Sequence, residues 1–149
     1  MNNSTWLIGR RAVLHMPALL AAAAPSAAFA GTTPSAKDAY LYFITPFDGQ
    51  RLRGAFWCRF GLRNMGVAPA GVVTPNTGHH HLLIDVDEPL NTEEAITADK
   101  KHVHFGAGQT ETRLELPRGR HMLQLVLGDS LHLPLDPPVV SHRITITVL

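Results

Sequence analysis

The sequence predicts an all-β fold, an immunoglobulin-like antiparallel β-sandwich of about seven strands, on three observations. Short stretches alternate apolar and polar residues with period two, as strands with one buried face do. Turn-forming Gly, Pro, Asn and Asp recur between them. No stretch holds the 3.6-residue period of an amphipathic helix over helical length. Runs of short strands without periodic helices point to a sandwich, with an open barrel as the main alternative.

The first expected strand is Ala39-Tyr40-Leu41-Tyr42-Phe43-Ile44, closed by the turn sequence Pro46-Phe47-Asp48-Gly49. The second runs from Ala55 to Leu62, with Phe56, Cys58, Phe60 and Leu62 on one face and Trp57, Arg59 and Gly61 on the other. Residues 63–77 carry Gly66, Pro69, Gly71, Pro75 and Asn76 without a period and read as a long loop. That loop delivers the chain to Gly78-His79-His80-His81-Leu82-Leu83-Ile84-Asp85, three consecutive imidazoles continuous with an apolar strand. If Leu82, Ile84 and Val86 face the core, His80 points inward, while His79, His81, Leu83 and Asp85 point the other way. The opposite phase would bury the Asp85 carboxylate, which is costly.

Beyond Asp87 the chain is polar to Lys101, with Thr92-Glu93-Glu94-Ala95 compatible with a short helical turn. His102-Val103-His104-Phe105 then alternates again and enters the glycine-rich turn Gly106-Ala107-Gly108. The strands Thr112–Leu116 and His121–Leu127 flank Pro117-Arg118-Gly119, which reads as a hairpin. A proline-rich loop over 130–138 carries His132. The last strand, His142 to Leu149, places Ile144, Ile146 and Val148 inside and Thr145 and Thr147 outside.

Residues 1–30 read as a cleaved signal peptide. Arg10-Arg11 precede an alanine-rich apolar run, and Ala28-Phe29-Ala30 offers a small-x-small cleavage site. The apolar run is broken by His15 and Pro17 and is short of a spanning helix. Arg10-Arg11-Ala12-Val13-Leu14 also resembles a twin-arginine export signal. The expected product is periplasmic or secreted, with a flexible lead over 31–38, one domain over 39–149 and no membrane span. The whole chain has 13 Lys and Arg against 12 Asp and Glu; losing two Arg with the leader leaves a net charge of −1. Such a balance leaves no electrostatic footprint for nucleic acid. A single cysteine, Cys58, allows no internal disulfide and sits on a core face, where it reads as a small hydrophobe.

Eight of the nine histidines follow the leader. If strands alternate up and down and the hairpin closes at Gly119, the loops carrying His79, His80, His81, His102, His104 and His132 meet at one end of the sandwich. Neutral imidazoles gathered there suit a copper or zinc ion, and His-x-His on a strand presents two ring nitrogens to one side. Alternation separates His80 from its neighbours, so one ion is not expected to take all three consecutive rings. Asp85, Asp129 and Glu111 are candidate partners of the rings, and Met65 or Met122 a candidate soft ligand. The alternative is a hydrogen-bonded histidine lattice that orders loops. His121 and His142 read as structural or exposed.

No enzyme is expected. Ser130 and Ser141 lack a nucleophile-elbow pattern, and the Gly106–Gly108 turn lacks the following helix of a phosphate loop.

Asn76-Thr77-Gly78-His79-His80-His81-Leu82-Leu83-Ile84-Asp85, His102-Val103-His104-Phe105-Gly106-Ala107-Gly108-Gln109-Thr110-Glu111-Thr112, and Leu127-Gly128-Asp129 with Asp136-Pro137-Pro138-Val139-Val140-Ser141 together resemble the domain of unknown function 4399 family of small exported bacterial proteins. The resemblance implies a secreted or periplasmic single domain and supplies no activity. Function therefore rests on the residues. They point to an exported histidine-rich metal-binding protein, copper before zinc, that stores or passes on the ion. The alternative is a non-catalytic interaction module of the cell envelope, with an envelope protein or glycan as partner.

Overall fold

The computed structural model describes residues 32–149; the expected signal peptide lies outside them. Nine strands form: β1 (Tyr40–Thr45), β2 (Arg51–Leu52), β3 (Phe56–Arg63), β4 (Gly66–Val67), β5 (Thr77–Ile84), β6 (His102–His104), β7 (Glu111–Leu114), β8 (Gly119–Gly128) and β9 (Ile144–Val148). The two beyond the expected seven are the two-residue β2 and β4, too short to show a period. Among the described residues no helix is long and apolar enough to cross a membrane. The expected turn at 92–95 is not helical; Asn91 Oδ1 instead accepts the Glu93 N–H at 3.0 Å, the local bond that draws Asn into turns.

Two sheets face each other in the expected sandwich. The smaller has the order β1-β3-β7, and the larger β2-β9-β8-β5-β4 with β6 also on β5. Pairing is antiparallel except for the short β2·β9 and β4·β5 ladders. Leu41, Phe56, Cys58 and Phe60 from the small sheet meet Leu82, Ile84, Leu123, Leu125, Leu127 and Ile146 from the large one. For β3, β5 and β9 these are the inward faces read from the alternation. Burial pushes the Cys58 thiol up to about 12, so it is a core hydrophobe and not a thiolate.

The expected hairpin at Pro117-Arg118-Gly119 does not form. Strand β7 pairs with β3 and strand β8 with β5 and β9, so the chain crosses from one sheet to the other at this point. Alternation reveals which face of a strand is buried, but both sheets bury their faces in the same core. It is therefore blind to which sheet a strand joins.

Val86 also departs from expectation. Asp85 takes a left-handed φ of 55°, which ends the alternation, and Val86 packs with Leu83, Ile96, Val126 and Leu90 in a second small core outside the large sheet. Asp85 itself is used structurally. Its carboxylate accepts the Met122 N–H at 2.8 Å and faces His121 Nδ1 at 2.7 Å, while His121 Nε2 lies 2.8 Å from the Pro117 carbonyl. Both ring nitrogens must donate, which is the imidazolium pattern. Burial alone would lower His121, but the Asp85 and Pro117 bonds and the Asp85 charge outweigh it and raise the group. The lead expected to be loose is tied down: Ser35 N–H donates to the Asp136 carbonyl, Asp136 N–H to the Thr33 carbonyl, and Thr33 Oγ1 to Asp129 Oδ2 at 2.7 Å.

Candidate metal centre

The outward face of β5 carries the chemistry. In the β5·β8 ladder His79 lies opposite Gly128 and His81 opposite Val126, and on the other edge His81 lies opposite His104 of β6. His79, His81 and His104 thus share one face, and the loop after β8 folds His132 over them. All six pairs among the four rings have centroids 4.7 to 5.9 Å apart. His79 and His81 are buried, and the Nε2 atoms of the two rings are 3.0 Å apart. One ligand nitrogen from each of His79, His81 and His104 falls within 4.8 Å of the others.

Of the six histidines expected to meet at one end of the sandwich, four come together on the outer face of the large sheet, and the cause is not a hairpin. Lateral pairing of β5 with β6 brings in His104, and a tight hook after Gly128 brings in His132. Asp129 builds that hook: Oδ1 accepts the N–H groups of Leu131 at 2.8 Å and Leu133 at 3.0 Å, and His132 adopts a φ of 69°. The His132 carbonyl accepts the Ile96 N–H at 2.9 Å, which pins the 88–101 loop to the same hook.

Two glycines make room for the rings. A Cβ on Gly128 would sit 2.8 Å from His81 Nε2, and one on Gly106 would fall on the His104 ring. Gly106, two residues after His104, is the one sequence signal for this role; Gly128 lies far from His81 in the chain and only strand pairing brings the two together. Replacing Gly128 with Ala should leave the strand in place and displace the His81 ring, lowering metal affinity by roughly 10- to 100-fold, the range for lost support of a ligand. Isothermal titration with copper checks this, and unchanged affinity would show that the ring adapts.

Two predicted site residues lie elsewhere. His80 points inward as its phase requires; its ring is fully buried and 4.9 Å from the Phe60 ring. His102 shares the outward face but is one step further along β6, where its Nδ1 lies 2.9 Å from Asp99 Oδ1. It lines a cavity of about 360 Å³ with Leu83, Leu90, Ile96 and Lys101. Of the other candidates, Glu111 pairs with Arg59 at 2.8 Å, Met65 packs against the main core, and His142 is exposed.

Burial is the largest influence on the inner rings. It pushes His79 down to about 4, assisted by repulsion from His104 and His132 and opposed by Asp129. His81 is pushed down to about 3 by burial and then by its histidine neighbours. His80 falls to about 4 by burial, against the nearby Gln109 backbone, and His104 is lowered by burial and His132. These rings are neutral at pH 7, the form that binds metal. Among the described residues, the buried nitrogens without a partner are His79 Nδ1, both nitrogens of His80, His81 Nδ1 and His104 Nε2. Such atoms are normally satisfied in native proteins.

Two of the three donors stand at metal-ligand spacing, and His104, whose nitrogen lies within 4.8 Å of them, would have to close in to join the same ion. Two imidazole nitrogens each about 2.0–2.1 Å from one ion stand about 2.9–3.4 Å apart for bond angles between a right angle and the tetrahedral value. The His79–His81 separation of 3.0 Å lies at the right-angled end of that range.

Fold and cluster together define an all-β sandwich with convergent histidines on the outer face of its larger sheet. The chain belongs to the family described as Domain of unknown function (DUF4399), which matches residues 58–149. No curated protein matches the sequence. Among solved structures, the chain is similar to the endo-beta-1,4-mannanase from Thermotoga petrophila, with 18% identity and a TM-score of 0.44 over 76% of this chain; it spans only 20% of the mannanase chain. It is also similar to fibronectin(III)-like modules of Clostridium thermocellum CbhA, with 10% identity and a TM-score of 0.33 over 73% of this chain and 93% of the module. Likeness at this level transfers no activity.

Proposed function

We propose that this is an exported, periplasmic metal-binding protein that stores or passes on copper, with zinc as the second choice, and that it is not an enzyme. One observation carries the reading: the rings of His79, His81, His104 and His132 converge on one face, with one ligand nitrogen from each of the first three within 4.8 Å of the others. His79, His81 and His104 are the inner ligands and His132 completes the set. An all-imidazole donor set suits copper and zinc, and copper binds such sites more tightly in the divalent series. Export rests on the leader-like character of residues 1–30.

A purely structural histidine lattice explains the cluster less well. A lattice orders loops by satisfying ring nitrogens, and among the described residues His104 Nε2, in the cluster, is buried without a partner. Metal analysis and copper titration of the leaderless protein, purified without a histidine tag, test the proposal. One equivalent of copper or zinc per chain is expected. Absence of any bound or titratable copper or zinc at micromolar concentration removes it.

A further inference from the structure

The outer face of the small sheet, on the other side of the sandwich from the histidines, is also unusual. Alternation directs Tyr40, Tyr42 and Ile44 of β1, Trp57, Arg59, Gly61 and Arg63 of β3, and Glu111 and Arg113 of β7 to this side. Trp57, on the central strand, is 47% exposed, and Tyr40, at the start of the edge strand β1, 43%. Tyr42 lies across β3 at Gly61, where a Cβ would fall on its ring; the missing side chain lets the ring lie down on the sheet. Tyr40 stacks beside it with centroids 5.5 Å apart and planes 16° apart.

Arginines accompany each ring. The Arg63 guanidinium stands 5.5 Å from the Tyr42 centroid and that of Arg59 5.4 Å from the Trp57 centroid, and Arg113 is the ladder partner of Trp57. Arg59 is neutralised by Glu111, but among the described residues neither Arg63 nor Arg113 pairs with a carboxylate. A chain with a net charge of only +1 thus gathers three arginines against Glu111 on the strands of a single aromatic face, with Glu115 just beyond β7.

We infer that this face binds an acidic polysaccharide strand of the uronate type. The C–H faces of pyranose rings lie on the exposed Tyr40 and Trp57, Tyr42 backs Tyr40, and the sugar carboxylates pair with Arg63 and Arg113. From Trp57 to Gly61 the strand covers about 13 Å, enough for a short oligosaccharide laid along β3. Aromatic side chains with polar edges suit a surface that is apolar and wet at once, and the guanidinium fork matches a carboxylate in geometry. A single-stranded nucleic acid uses similar rings but draws its affinity from many phosphate contacts, and this domain has no basic excess to meet them. The inference is independent of the metal reading, because no residue is shared.

Affinity electrophoresis and calorimetry with polygalacturonate, alginate and neutral dextran test it, using Trp57→Ala, Arg113→Ala and Tyr40→Ala. The three side chains are exposed, so unchanged circular dichroism and thermal midpoint are expected, and copper titration should match wild type. Wild type should bind at least one uronate polymer and not dextran, with at least tenfold weakening in Trp57→Ala and Arg113→Ala. No binding to either uronate polymer, equal binding to dextran, variants that bind like wild type, or tighter binding of oligodeoxythymidylate would each overturn it.

Discussion

Replacing His81 and His104 together with alanine should abolish the copper-dependent part of the protein's thermal stability. A ligand that binds only the folded state stabilises it by about 2.7 kcal/mol at 100 times its dissociation constant. For a domain of this size that is roughly 10 °C in melting temperature. The wild type should show that rise when copper is added, and the double variant none. The variant also melts lower without metal, since His81 is fully buried and its loss leaves a cavity. The informative quantity is therefore the difference between the copper-loaded and copper-free midpoints. A structural lattice predicts the opposite result: the same loss with and without copper, and no rise in the wild type. His142→Ala, at an exposed position away from the cluster, serves as the control and should retain the full rise.

Lowering the pH from 7 to 5 should destabilise the metal-free protein on the order of 2–4 kcal/mol, read as a fall in the urea midpoint. His79, His80 and His81 have an ordinary value of 6.5 in the unfolded chain and are held near 4, 4 and 3 in the fold, each chiefly by burial. Below pH 6.5 the unfolded chain therefore takes up protons that the folded one refuses. Their contribution to stability is complete above pH 6.5 and is lost as the pH falls toward 4. His121 has the reverse sign: its raised value makes its contribution complete below 6.5 and lost as the pH rises through the folded value. A midpoint that rises between pH 7 and pH 5 would show that His121 outweighs the three inner rings and contradict the prediction. In the copper-loaded protein proton competition is weak above pH 5, so metal should stay bound at a pH where ordinary imidazoles release it. Titration of copper release against pH measures this, and half-release at 6 or above would argue against His79 and His81 as ligands.

The phase of β5 was readable because one residue decides it. Asp85 is expensive to bury, so Leu82 and Ile84 must face the core, and His79 and His81 must then face outward together. The position of His80 against Phe60 follows from the same step. Strand β9, with Ile144, Ile146 and Val148 inside, was legible for the same reason. The Thr92–Ala95 segment was not, since Asn91 spends its side chain on a local turn that competes with a helix.

By itself, then, the sequence determined the all-β class, most strand positions, the buried faces and the family, because side-chain alternation and turn chemistry are local properties. Tertiary structure decided the sheet to which each strand belongs, and with it the membership of the histidine cluster. His102 and His104 are indistinguishable in the sequence, both alternating on one short strand. Register against β5 sets His104 beside His81 and leaves His102 beside Leu83, two residues farther along and bonded to Asp99. His132 joins because Asp129 folds its hook over the sheet, and His81 and His104 fit because Gly128 and Gly106 present no Cβ to their rings. These are contacts between residues distant in sequence, and no local pattern encodes which of several equivalent imidazoles will meet.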